Sequence, residues 1–186
     1  MKIGTCVNFS EIDGMGKKFA RLREHNFDSC QLVSWNPAAW TDENASLLKT
    51  LLEQYQITVS AFWCGWSGPA AWNFYDGPLT LGLVPVEYRQ MRIENLCDGA
   101  DFAHKLGITD VVTHMGFIPE NPYDPNFSSF CIAVRTVAEH LKKNGQCLLF
   151  ETGQETPVTM LRCFEAVGTD NLYVNLDTAN LILYGK

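Results

Sequence analysis

The feature that most limits how this chain can fold is an alternation. Apolar runs of strand length recur along it, and the longer segments between them carry apolar residues at helical spacing. The strand candidates are "KIGTCV" (2–7), "SCQLVS" (29–34), "TVSAFWC" (58–64), "DVVTH" (110–114), "CLLFE" (147–151) and "LYVNLD" (172–177). Helical periodicity is clearest in Leu47, Leu48, Leu51 and Leu52, in Met91, Ile93, Leu96 and Ala100, in Ile132, Val134, Val137 and Leu141, and in Met160, Leu161, Phe164 and Val167. Strand followed by helix, repeated with Val, Ile and Leu in the strands, predicts an α/β fold: a parallel sheet covered by helices, as one domain over 1–186.

Local punctuation agrees with these borders. "HKLGITD" and "KKNGQ" place a glycine where a helix should end, and "ETPVTML" offers Thr156 as an N-cap with Pro157 at the first helical position. One segment is long for a connection. "CGWSGPAAWNFYDGPLTLGLVP" (64–85) follows the third strand and is rich in Gly, Pro and aromatic residues, as functional loops often are.

Composition excludes several classes. A net charge of −7, with no basic cluster beyond Lys17-Lys18 and Lys142-Lys143, offers no surface for a nucleic-acid backbone. No apolar run reaches the roughly 18 residues of a membrane helix, and the N-terminal residues lack a signal-peptide pattern, so no membrane partner and a cytoplasmic location are expected. The seven cysteines are scattered singly without metal-ligand spacing, which fits reduced, mostly buried thiols.

In a repeating βα fold the site forms at the C-terminal ends of the strands. The residues there are Trp63 and Trp66, His114, Glu151 and Asp177. A carboxylate ending the apolar run "CLLF" is costly to desolvate unless a cation or hydrogen-bond donors meet it, and a divalent metal is the simplest partner. Asp177 repeats the arrangement on the next strand, whose tip should lie roughly 5 Å away. Taken singly, Asp177 could equally cap the helix that follows. His114 reads as a substrate hydrogen-bond donor or proton relay, and Glu155 lies one turn beyond Glu151.

With these residues placed, "DFAHKLGITDVVTHMGFIPE", "FETGQETP" and "NLDTANLILYG", preceded by "GPLTLGLVP" and "EYRQMR", resemble the sugar phosphate isomerase/epimerase superfamily, the xylose-isomerase-like TIM barrels of AP endonuclease family 2. The resemblance implies a (β/α)8 barrel and a divalent metal ion (Mn²⁺, Mg²⁺, Co²⁺ or Zn²⁺) held by Glu, Asp, His and Glu from successive strand ends. Glu151 matches the first ligand and Asp177 the second. Glu151 would also be one of two glutamates that donate and accept protons on opposite faces of an enediolate. Expected substrate contacts are His114, Trp66, Glu155 and Asn180. The implied partner is a small sugar or keto-sugar and the implied activity is isomerase or epimerase. Asn180 stands where the DNA-repair branch carries a His, which separates this chain from that branch.

Such a barrel takes about 250 residues. Six βα units are expected here, so the His and the second Glu of strands seven and eight should lie outside these 186 residues, leaving the metal weakly held. The open edges predict a homodimer. Two other outcomes follow the same residues: a non-catalytic fragment or sugar-binding relic, and a keto-sugar or keto-inositol dehydratase using the same enolate chemistry.

Overall fold

The computed structural model describes residues 2–186. Its strands are β1 (Thr5–Asn8), β2 (Ser29–Ser34), β3 (Thr58–Cys64), β4 (Asp110–Thr113), β5 (Cys147–Glu151) and β6 (Leu172–Asn175). The helices are α1 (Met15–Glu24), α2 (Asp42–Tyr55), the short α3 (Gly77–Thr80), α4 (Val86–Lys105), α5 (Pro125–Lys143), α6 (Pro157–Val167) and α7 (Thr178–Tyr184). All strand pairs are parallel and follow chain order, β1 through β6. A sheet that adds each strand beside the last, with a helix between, is the (β/α)8 type with six of its units present.

The termini of the elements show why the chain folds this way. Thr41 caps α2 by accepting from the Asn44 N–H at 3.2 Å, Asp124 caps α5 from the Asn126 N–H at 2.7 Å, and Thr156 caps α6 from the Thr159 N–H at 3.2 Å. Pro125 and Pro157 follow two of these caps, where a missing N–H costs nothing. Gly107 and Gly145, with φ of 75° and 70°, turn the chain out of α4 and α5 toward the next strand.

Strands β2, β3 and β5 match the sequence boundaries, whereas β1 begins at Thr5 and β6 ends at Asn175. The second difference has a local cause: Asp177 leaves the sheet to cap α7. Leu47, Met91, Ile132 and Leu161, which fit the helical periodicity, are at least 36% exposed, because each helix is covered only where it faces the sheet or a neighbouring helix.

The core lies between sheet and helices. Leu32, Phe62, Val111, Leu148 and Phe150 point outward from the sheet into one cluster with Phe19, Leu48, Phe102 and Val137 of the helices. The alternate residues on each strand point the other way, into the barrel interior. That second set includes Gln31, Val33, Trp63, Leu149 and Glu151, and it supplies the site.

Candidate active site

The period of two along the strands decides what reaches the interior. Glu151 ends β5 on the inward side and pairs in register with Asn175 of β6, so both face the same space. Asp177, two residues beyond Asn175, keeps that parity. An opening of about 330 Å³ at the strand tips is lined by Cys6, Val33, Trp35, Trp63, His114 and Glu151, with Gln31, Trp72, Asp177 and Asn180. It adjoins a larger space of about 570 Å³ between β1 and β6, which shares Cys6, Gln31, Glu151 and Asp177.

Glu151 is buried, and no cation pairs with it among the described residues. Burial pushes its carboxyl up to about 7; the Asn175 amide, which donates to Oε2, opposes this, and the charge of Asp177 adds to it. Asp177 is held from three sides. Its Oδ1 accepts from the N–H groups of Ala179 (2.8 Å) and Asn180 (3.2 Å), while Thr152 Oγ1 accepts from its backbone N–H at 2.8 Å and donates to its carbonyl at 3.0 Å. The cap and the strand-tip arrangement thus coexist in one residue.

His114 stands one residue past β4, inside the ring of tips. Burial brings its imidazole down to about 4, so it is neutral at physiological pH, and its Nδ1 has no hydrogen-bond partner. Trp63 and Trp72 flank it with ring centroids at 5.7 and 4.9 Å. Trp35 lies 5.0 Å from both Trp63 and Trp66 and 6.0 Å from Trp72, which makes a cluster of four indoles beside the opening.

The predicted residues divide into two groups. Glu151, Asp177, His114 and Asn180 line one opening. Trp66 is 3% exposed and stands behind Trp35 and Trp72 instead of lining it. Glu155 is equally buried, with neither carboxylate oxygen hydrogen-bonded, and burial pushes it up to about 7. Sequence reasoning missed Trp35. Its signal was parity, since it follows Gln31 and Val33 on the inward side just past β2.

Two oxygen donors face the same space, and the raised carboxyl of Glu151 marks a charge that lacks a counter-ion. This donor set suits two positions of a hard divalent cation. Among the described residues no group of three or more His, Cys, Asp or Glu is placed to hold a metal.

A family model described as a xylose isomerase-like TIM barrel matches residues 19–186. The chain is similar to a xylose isomerase domain protein from Planctomyces limnophilus, with 29% identity and a TM-score of 0.90, over 98% of this chain and 65% of that one. It is similar in fold to an L-ribulose 3-epimerase, at 21% identity and a TM-score of 0.74, over 98% of this chain and 63% of that one. A Mycobacterium smegmatis xylose isomerase-like TIM barrel protein, solved in complex with magnesium, gives 22% identity and a TM-score of 0.69 over 92% of this chain and 58% of that one. No curated protein sequence matches. The chain therefore spans under two thirds of the length of these structures, and with a family model matching most of its residues it belongs to the xylose isomerase-like TIM barrel family.

Proposed function

We propose that this chain carries the proton-transferring and part of the metal-holding machinery of a sugar or keto-sugar isomerase or epimerase. The observation that carries the reading is Glu151: a buried carboxylate with no cation, raised to about 7, at a strand tip beside Asp177. Burial without a cation holds this carboxyl partly protonated near neutral pH, and a bound cation would ionise it to the form that accepts a proton. Glu151 and Asp177 would hold the divalent ion, with further donors that these residues do not supply. Bound there, the ion would polarise the substrate carbonyl and acidify the neighbouring C–H.

The chain's own groups account for the remaining tasks. Asn175 donates to Oε2 of Glu151 and orients the carboxylate that takes the proton from the carbon beside the carbonyl and returns it. His114, neutral and lining the opening, serves a sugar hydroxyl, and Asn180 lies at the same rim. Trp35 and Trp72, 39% and 44% exposed, present indole surface to the C–H face of the sugar. Glu155 and Trp66 act from behind that surface.

Isotope exchange tests the reading. With Mn²⁺ and a ketose such as L-ribulose or D-fructose in D2O, NMR should show deuterium entering at the carbon beside the carbonyl, and Glu151→Gln should abolish it. Exchange requires one base, so it is expected even where the second proton-transferring group is missing. Exchange no faster than in Glu151→Gln would overturn the proposal.

We also propose that this chain self-associates. Tyr173, Val174 and Leu176 beside the open edge of β6, and Ile182 and Leu183 of α7, are 42–84% exposed. Sedimentation should show dimer that dissociates on dilution, and a monomer at all concentrations would contradict it.

A further inference from the structure

Arg92 is the largest fully buried side chain of the molecule, with 0% exposure, and no carboxylate lies within ion-pair distance of it among the described residues. A buried charge without a counter-ion must be met by dipoles or π faces. Arg92 has both. Its Nη1 donates to the Gly82 carbonyl at 2.6 Å, Nη2 to the Pro69 carbonyl at 2.8 Å, and Nε to the Ser67 carbonyl at 3.4 Å. Its guanidinium carbon lies 5.2 Å from the ring of Trp66 and 4.9 Å from that of Tyr88. Burial brings its pKa down to about 10, so it remains a cation at neutral pH.

The three carbonyls come from the two ends of the aromatic loop, residues 64–85. Ser67 and Pro69 lie just after β3, and Gly82 lies just before α4. Between Ser67 and Pro69, Gly68 takes φ of 90°, and a Cβ there would stand 3.6 Å from Nη2 of Arg92. The far end of the loop abuts the chain that follows His114. A Cβ on Gly82 would lie 2.0 Å from the carbonyl carbon of Met115, and Leu83 N–H donates to the Met115 carbonyl at 3.0 Å. Pinning both loop ends thus fixes Trp66 against Trp35 and Trp72, and Trp72 against His114.

We propose that Arg92 is a positioning residue for the sugar site, its guanidinium holding the loop so that the indole cluster keeps its place beside His114. The inference rests on the sugar-binding reading for its consequence, but its geometry can be tested without any sugar. Arg89 is the natural control. It clamps the same loop's end, through the Leu83 carbonyl at 2.6 Å, and touches none of the tryptophans.

The experiment compares the full chain with Arg92→Lys, Gly68→Ala and Arg89→Lys. Near-UV circular dichroism and acrylamide quenching read the coupled indoles, and urea melts followed in the far-UV read stability. Arg92→Lys should lose the indole bands and raise quenching about threefold as the cluster loosens, while Arg89→Lys shifts only the melt. Gly68→Ala, which keeps the charge but strains the φ of 90° between the Ser67 and Pro69 carbonyls that Arg92 holds, should show the same spectral change, so the test stands even if Arg92→Lys does not fold. For the D-fructose probe, apparent affinity should weaken about tenfold with the Glu151-dependent exchange rate at saturation unchanged. Indole spectra unchanged in every folded Arg92 and Gly68 variant, or changed equally by Arg89→Lys, would overturn the proposal. Absence of any ketose exchange would instead defeat the functional reading, leaving the spectra to decide this one.

Discussion

Glu151 and Glu155 sit four residues apart, and burial raises both to about 7 in different surroundings. Glu151 keeps an amide partner in Asn175 and faces the opening, whereas Glu155 has no hydrogen bond to either oxygen. A carboxyl whose folded pKa lies above its ordinary 4.5 holds its proton more tightly folded than unfolded. Its contribution is neutral below about pH 4.5, and stability then falls as pH rises to about 7, above which the full cost is present. Glu155→Gln should therefore raise stability by about 2 kcal/mol at pH 8 and leave it unchanged at pH 4. Thermal melts at the two pH values check this; destabilisation at both would show that the charge is met by a partner. Position at the ends of apolar runs made part of the site legible at this scale. Glu151 and Asp177 could be placed because each ends an apolar run of strand length, but the burial of Glu155 depends on how the segment after β5 folds back, which no period records.

At the scale of elements, capping carries much of the specification. Thr156 ends the segment after β5 and starts α6, and Thr156→Ala should cost about 1 kcal/mol in a denaturant melt, with the space around Glu151 unchanged. Gly82 is less forgiving. With φ of 65° and Met115 backbone 2.0 Å from any Cβ, Gly82→Ala should cost more than about 3 kcal/mol and release the aromatic loop. A melt within about 0.5 kcal/mol of the parent would contradict that close approach. Strands β2, β3 and β5 and the Thr156 cap were legible because apolar runs and cap chemistry are local. The loop of residues 64–85 was legible as a long aromatic connection at the strand tips, but its internal packing was not. Trp66 packs against Arg92, a contact between residues 26 positions apart in sequence, while Trp35 and Trp72 line the opening.

For the whole molecule, six parallel strands bring a carboxylate pair and a cluster of indoles to one opening. The fold class was readable from the alternation alone, because a parallel sheet with helical crossovers is the arrangement that buries both kinds of apolar face. No helix among the described residues is long and apolar enough to cross a membrane. We propose that Glu151 and Asp177, which line one opening, form a divalent-cation site. Its most direct test is calorimetric titration of Mn²⁺ into the chain at pH 7, beside a Glu151→Gln, Asp177→Asn double variant. The account predicts saturable binding with Kd on the order of 10⁻⁴ M, with release of part of a proton as Glu151 ionises, and loss of both in the double variant. Identical heats from the two proteins, or binding without proton release, would contradict it.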